Sequence, residues 1–120
     1  MKKSTIISLF LVVSFFTQAQ VKIDSLWAIW YNESAPDSSR AQALHEISWD
    51  GYLFSHPDSG FYYAQMLYEF DNRKGLKKVM ARALKTQGVS YFVRGDYEKA
   101  LRYYKQSLKI YEEISEEKEI

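Results

Sequence analysis

The sequence contains no cysteine, and only two histidines occur among its 120 residues. The absence of cysteine excludes disulfides, zinc–thiolate sites, cysteine nucleophiles and a lipid anchor attached through cysteine. His45 and His56 lie eleven positions apart, and Trp49 stands where a zinc-binding helix needs its second histidine. We therefore predict no metal site and no cofactor, and we interpret His45 as a surface residue.

An excess of charge of one sign is also missing, because 16 lysines and arginines are balanced by 15 aspartates and glutamates. A near-neutral chain has no general electrostatic attraction for nucleic acid, so no nucleic-acid partner is expected. No glycine-rich phosphate loop and no Ser/His/Asp arrangement stands out. Glu46 and Asp50 are carboxylates one helical turn apart, but solvated helices carry such pairs routinely. We predict that the protein is not an enzyme.

A long apolar run occurs at the N-terminus. Residues 6–16 are eleven mainly apolar residues, preceded by Lys2-Lys3 and followed by Thr17-Gln18-Ala19. A positive start, a short apolar centre and a small residue at the end are the three parts of a secretory signal peptide. A membrane span needs about 20 apolar residues, so this run is too short. We predict a cleaved signal peptide over residues 1–19, export to the bacterial periplasm or cell surface, and no stable membrane span.

The rest of the chain has the apolar spacing of helices and almost no signal for strands. A first amphipathic helix, within residues 20–36, is indicated by Ile23, Leu26, Trp27 and Trp30 at i, i+3, i+4 and i+7. We expect it to cover one end of the fold. Asp37 or Ser38 is expected to cap the next helix. Further breaks between helices are predicted at residues 55–60, 71–75 and 95–96.

The chain also repeats itself with an offset of 40 residues. Residues 40–44, RAQAL, reappear as MARAL at residues 80–84, and Tyr63 has Tyr103 at the same offset. The helix–break–helix pattern repeats in step. The sequence therefore predicts two similar helix pairs.

The second helix pair resembles a tetratricopeptide repeat (TPR). The family's pattern falls on Leu84, Gly88, Tyr91, Gly95, Asp96, Ala100 and Tyr104. Gln87 departs from the leucine of the pattern, and Glu112 stands where proline is common. In the first unit Leu44 keeps the pattern, whereas Ser48 replaces the glycine and Gly60 the alanine.

The resemblance implies an all-α, TPR-type helical-hairpin solenoid. About two repeats would lie within residues 37–120, at 41–74 and 81–114, after the N-terminal helix. The family's solenoids serve as protein–protein interaction scaffolds, with the first helix of each pair lining a concave groove. By resemblance, the groove that binds a protein or peptide partner is lined by Gln42, His45, Trp49, Tyr52, Arg82, Lys85, Val89 and Phe92. Some members clamp a terminal carboxylate with lysine and asparagine; Lys85 is present, and Val89 replaces the asparagine.

The tripeptide Arg94-Gly95-Asp96 matches a known adhesion ligand, but it lies between two periodic helices. Gly95 is predicted to take the left-handed conformation that ends one helix, and Asp96 to cap the next. We interpret the tripeptide as an interhelical turn.

Several alternatives stay open. A basic stripe of Lys74, Lys78, Arg82 and Lys85 is either a solvated face or a site for an acidic segment. Residues 112–120 resemble the linker at residues 70–76, which predicts further repeats or self-association; alternatively, they are the solvated end of the last helix. A signal peptide before divergent repeats also resembles the sensory N-terminal region of larger signalling proteins. The alternative function is therefore a truncated sensory region that precedes a histidine kinase or nucleotide cyclase domain.

Overall fold

A computed structural model describes residues 22–119, and this part of the chain is helical without any strand. Five helices follow one another: α1 over residues 22–31, α2 over Asp37–Glu46, α3 over Pro57–Lys74, α4 over Lys77–Val93 and α5 over Tyr97–Glu119. A π-helical segment, Ile47–Leu53, continues α2 without a break. The predicted all-α helical-hairpin fold is confirmed. The predicted signal peptide, residues 1–19, lies outside the described residues, and no helix between residues 22 and 119 is long and apolar enough to cross a membrane.

Two glycines end helices as predicted. Gly75 follows α3 with φ of 71°, and Gly95 follows α4 with φ of 83°. Both take the left-handed conformation that glycine adopts without a steric penalty. At the second turn the Asp96 amide donates to the Tyr91 carbonyl at 2.9 Å, and Asp96 Oδ1 accepts from the Lys99 amide at 3.2 Å. Arg94-Gly95-Asp96 is therefore an interhelical turn with Asp96 as the N-cap of α5.

Two details of the predicted boundaries are wrong. We expected Asp37 or Ser38 to cap α2, but Asp37 is its first helical residue, and the preceding Pro36 offers no capping side chain. The polar segment at residues 71–75 was expected to loosen α3, yet the helix continues to Lys74. Arg73 and Lys74 lie in its last turn, where positive charge is favourable at a helix C-terminus.

The pair α4–α5 packs through a glycine. A Cβ on Gly88 would lie 2.6 Å from Tyr104 Cε1 and 3.2 Å from the Ala100 carbonyl oxygen. Ala100 is itself buried. The ring of Tyr104 therefore occupies the space that any larger residue at position 88 would need, as the repeat pattern predicts.

The first helix pair consists of α2 with its π-helical segment and α3. Its helices pack as closely as α4 and α5 do, but through different residues. Ser48 Oγ donates to the Gly60 carbonyl at 2.7 Å, and a Cβ on Gly60 would lie 2.7 Å from Leu53 Cα. Ala64, fully buried, stands 40 positions before Tyr104. The small alanine replaces the aromatic ring, which leaves room for the Ser48 side chain.

Helix α1 covers the first pair, as its apolar spacing predicts. Trp30 packs edge-on against Phe70 with ring centroids 5.0 Å apart, and Trp27 meets Tyr63 at 5.2 Å. Arg40 Nε donates to the Trp30 carbonyl at 2.9 Å, which joins α1 to α2. Aromatic pairs of this kind contribute about 0.5–1.5 kcal/mol beyond the area they bury.

Buried serine hydroxyls also join neighbouring helices. Ser90 Oγ of α4 donates to the Pro57 carbonyl of α3 at 2.7 Å, and Ser107 Oγ of α5 donates to the Ala81 carbonyl of α4 at 2.6 Å. These bonds satisfy hydroxyl groups that would otherwise be buried without a partner.

Candidate functional site

The first helices of the two pairs, α2 and α4, form a groove that Arg82 and Gln42 bridge. Arg82 Nη1 donates to Gln42 Oε1 at 3.0 Å, and the two residues occupy equivalent positions, 40 apart. A cavity of about 160 Å³ lies on one side of this bridge, lined by His45, Trp49, Arg82, Lys85 and Thr86. A second cavity of about 240 Å³ is lined by Ser38, Ala41, Gln42, Lys78, Val79, Arg82 and Tyr111. Because Arg82 lines both cavities, the groove runs past its guanidinium.

Aromatic rings form one wall of the smaller cavity. The rings of His45 and Trp49 are stacked with centroids 6.1 Å apart, and Trp49 packs edge-on against Phe54 at 5.5 Å. Phe54 is 61% exposed. Phe54 supports Trp49 from the side, so the indole stays in place at the edge of the cavity. A partly exposed, supported tryptophan is the kind of side chain that anchors a protein ligand.

The groove also carries positive charge that no ion pair among residues 22–119 neutralises. Lys85 and Lys78 form no ion pair with any described residue, and the buried Nε of Arg82 has no hydrogen-bond partner. The nearest acidic group along α2, Glu46, accepts a bond from Gln42 at 3.1 Å. The arrangement can therefore accept carboxylates from a ligand at Arg82 and Lys85.

His45 is not the surface residue that we predicted. Its Nδ1 is buried without a hydrogen-bond partner, and burial lowers the pKa of the imidazole to about 4. The Arg82 guanidinium lowers this pKa as well, whereas Asp50 and Glu46 raise it. His45 is therefore neutral near pH 7, and it gives the groove an aromatic face rather than a charge.

A buried acid lies on α3, within the polar segment for which the sequence predicts a break. Asp71 is 0% exposed, and both of its carboxylate oxygens lack a hydrogen-bond partner. Burial raises the pKa of this carboxyl to about 7, and the Arg82 guanidinium acts in the opposite direction. Helical phase could have identified the position, because Asp71 follows the buried Ala64 and Leu67 at i+7 and i+4.

The structure brings five of the eight predicted groove residues together and places three elsewhere. Gln42, His45, Trp49, Arg82 and Lys85 line the two cavities, together with Lys78 and Thr86, which the groove prediction did not include. Tyr52, Val89 and Phe92 line neither cavity. The ring of Tyr52 lies 5.1 Å from that of Tyr63, and Phe92 packs against Tyr97 at 5.2 Å.

The π-helical segment explains the position of Tyr52. In an α-helix Tyr52 would share a face with His45 and Trp49, because the three residues are spaced at i, i+4 and i+7. A π-helical turn holds more residues than an α-helical turn, which rotates the residues that follow it about the helix axis. The rotation turns Tyr52 away from the groove and toward α3.

No cluster of three or more His, Cys, Asp or Glu side chains that could hold a metal ion occurs between residues 22 and 119. Residues 81–113 match the family model for the tetratricopeptide repeat, within the second predicted repeat. Neither curated proteins nor solved structures show a match to the chain. The α4–α5 pair, with Gly88 packed under Tyr104 and Asp96 at its turn, is the segment that the family model covers. Residues 81–113 are therefore a tetratricopeptide repeat.

Proposed function

We propose that this protein is a non-catalytic scaffold that binds an acidic segment of a partner protein in the groove between α2 and α4. The observation that carries the proposal is the unneutralised positive charge of Arg82 and Lys85 beside the supported ring of Trp49. The tetratricopeptide repeat supports a role in protein binding.

Each group has a distinct part in this recognition. Arg82 and Lys85 pair with carboxylates of the ligand, and Lys78 extends the same charge into the second cavity. Trp49 receives an apolar side chain of the ligand, because aromatic residues concentrate binding energy at protein interfaces. His45 stays uncharged near pH 7, so the charge of the groove comes from its lysines and arginine.

Calorimetric binding of two synthetic peptides tests this proposal. One peptide alternates glutamate with phenylalanine, and the other alternates lysine with phenylalanine. We expect the acidic peptide to bind and the basic peptide not to bind. The affinity of the acidic peptide should fall as the salt concentration is raised from low to physiological. Equal binding of the two peptides would reject the proposal.

Three variants locate the binding. Arg82→Gln and Lys85→Gln should each weaken the acidic peptide, and Trp49→Ala should weaken it by tenfold or more, on the order of 1–2 kcal/mol. Lys99→Gln is the matched control, because Lys99 lies on α5 beside the ring of Tyr91 and lines neither cavity. A loss of binding in Lys99→Gln that equals the loss in Lys85→Gln would place the ligand elsewhere.

Export is the second part of the proposal. The positive start and short apolar run of residues 1–19 support cleavage and delivery to the periplasm or cell surface. Fractionation of cells that express the protein, with mass spectrometry of the product, tests this. A product in the cytoplasmic fraction that retains residues 1–19 would reject export.

The alternative is that the repeats are the sensory region of a larger signalling protein with a histidine kinase or nucleotide cyclase domain. Exposed apolar residues on α5 favour this alternative, because Tyr97, Leu101 and Leu108 are each more than half exposed, at 64%, 52% and 56%. Such residues suit a surface that packs against a further element. The genomic sequence that follows codon 120 decides the question: an in-frame kinase or cyclase supports it, and a stop codon opposes it.

A further inference from the structure

The groove residue Arg82 acts electrostatically on the buried acid Asp71, although the two residues form no ion pair. Asp71 is 0% exposed on α3, and both of its oxygens lack a hydrogen-bond partner. Arg82 reaches from α4 and is the charged group that acts on Asp71, yet the two form no ion pair. Arg82 instead donates through Nη1 to Gln42 in the groove, and its buried Nε has no partner. One guanidinium therefore acts electrostatically on a buried carboxylate and also donates a hydrogen bond in the groove.

We propose that Asp71 is a positioning residue that competes with the ligand for the charge of Arg82, so that protonation of Asp71 strengthens the binding of an acidic segment. This inference rests on the proposed function, because it concerns the same groove.

The competition follows from the burial of the acid. An anion at Asp71 sits in a region of low dielectric constant, where its field on Arg82 is weakly screened. That field lowers the positive potential that Arg82 presents to a carboxylate in the groove. A neutral Asp71 removes the opposing field, and the whole charge of Arg82 then acts on the ligand. By reciprocity, a bound carboxylate must make Asp71 easier to protonate.

The titratable and charged groups around Arg82 and Asp71 determine whether the ligand affinity rises or falls with pH. The pKa of Asp71, raised by burial to about 7, makes the carboxyl neutral below that pH and anionic above it. His45 faces Arg82 from α2, but its pKa of about 4 keeps it neutral from pH 6 upward. Arg40, also on α2, lies 5.0 Å above the ring of Phe70. Asp50 of the π-helical segment acts on His45 and is exposed.

A hexaglutamate peptide is the probe for the coupling, because its side chains stay ionised above pH 6. Binding is measured by calorimetry between pH 6 and 8.5. For the unmodified protein we expect the affinity to fall about fivefold or more as the pH rises through 7, the usual size of such a coupling. For Asp71→Asn we expect one affinity at every pH, equal to that of the unmodified protein at pH 6.

Asp58→Asn is the matched control. It makes the same chemical change on the same helix, but Asp58 pairs with Arg94 at 2.7 Å and its side chain is 86% exposed. Its pH profile should follow that of the unmodified protein. An Asp71→Asn profile identical to that of the unmodified protein would overturn the coupling and leave the proposed function standing. Absence of hexaglutamate binding at every pH, in all three proteins, would reject the coupling, whereas the proposed function is judged by the glutamate–phenylalanine peptide.

A measurement without ligand tests the Arg82–Asp71 interaction alone. The free energy of unfolding of the unmodified protein and of Arg82→Gln is followed from pH 5 to 9 by urea denaturation. Loss of the guanidinium removes the group that favours the Asp71 anion, so the pH midpoint of the Asp71 titration should move upward in Arg82→Gln. An unchanged midpoint would overturn the inference even if the peptide binds.

Discussion

Ser48 Oγ donates a hydrogen bond of 2.7 Å to the carbonyl oxygen of Gly60, which closes the first helix pair. The equivalent residues of the second pair are Gly88 and Ala100, where a Cβ on the glycine would lie 3.2 Å from the carbonyl oxygen. The same carbonyl thus faces a hydroxyl in one pair and a bare Cα in the other. The helices of both pairs therefore pack closely at this position, through a side-chain hydrogen bond in the first pair and through a glycine without a side chain in the second.

Ser48→Ala should lower the free energy of unfolding by about 0.5–1.5 kcal/mol, because it removes a buried hydrogen bond without adding volume. Urea denaturation at constant pH measures the change. Ser39→Ala is the control, since Ser39 is exposed on α2, and it should stay within about 0.5 kcal/mol of the unmodified protein. Equal losses in the two variants would contradict the role of the Ser48 bond.

Gly88→Ala should lower the free energy of unfolding by about 1–3 kcal/mol, because the new Cβ would overlap the ring of Tyr104, only 2.6 Å away. Gly51→Ala makes the same substitution in the π-helical segment, where the nearest atom to a new Cβ is Ile23 Cδ1 at 3.9 Å. There alanine should be neutral or stabilise the protein by up to about 1 kcal/mol, since it loses less backbone freedom on folding. A thermal melt of both variants ranks them, and a reversed order would refute the packing account.

Asp96→Ala should lower the free energy of unfolding by about 0.5–2 kcal/mol, because Asp96 Oδ1 caps α5 by accepting from the Lys99 amide at 3.2 Å. Asp96→Asn keeps the accepting oxygen and removes only the ion pair with Lys99, which is 3.7 Å long and exposed. The asparagine variant should therefore retain most of the stability in urea denaturation. If asparagine and alanine cost the same, the ion pair matters and the cap does not.

The pH dependence of stability should show two opposed contributions. Between about pH 4 and 7 the folded chain holds a proton on Asp71 that the unfolded chain has released, since burial raises its pKa from 3.8 to about 7. That difference makes stability fall as the pH rises. Between about pH 4 and 6.5 the unfolded chain holds a proton on His45 that the folded chain lacks, since burial lowers its pKa from 6.5 to about 4. That difference makes stability rise with pH, so the two slopes oppose each other.

Single variants should separate these slopes. Each proton contributes at most about 1.4 kcal/mol per pH unit. In His45→Gln the stability should fall steadily from pH 4 to 7, whereas in Asp71→Asn it should rise from pH 4 to 6.5. Urea denaturation at half-unit steps of pH measures both. Parallel profiles in the two variants would show that neither group titrates in this range.

Much of the fold can be predicted from local signals in the sequence. Gly95 and Asp96 predict the turn between α4 and α5, since one residue suits a left-handed conformation and the other a cap. Gly88 with Ala100 and Tyr104 predicts the close approach of that pair. Each of these signals lies within a single helix pair, so no knowledge of the remaining chain is needed.

The groove could be predicted only in part, because its geometry depends on helix phase. The apolar and aromatic side chains within residues 47–53 are compatible with an α-helix or a π-helix, so the rotation that moves Tyr52 cannot be predicted from the sequence. Asp71 sits in a polar segment that looks like a loop, so its helical phase relative to Ala64 and Leu67 indicates burial only once α3 is known to continue through it. His45 is half-buried, with its ring stacked on Trp49 and in a cavity shared with Arg82, which comes from another helix.

The three buried serine bonds have a consequence for how this chain can vary. Ser48, Ser90 and Ser107 each donate to a backbone carbonyl of a neighbouring helix, and not to a side chain. A replacement of Pro57 or Ala81 by another residue that keeps the helix would preserve the accepting oxygen. Gly60 and Ala81 have no room for a larger side chain, because a Cβ on Gly60 would lie 2.7 Å from Leu53 Cα and Ala81 is fully buried. Of the three junctions, the one at Pro57 can therefore vary on the accepting side without a paired substitution. Homologues would be expected to keep Ser90 while the residue at position 57 diverges.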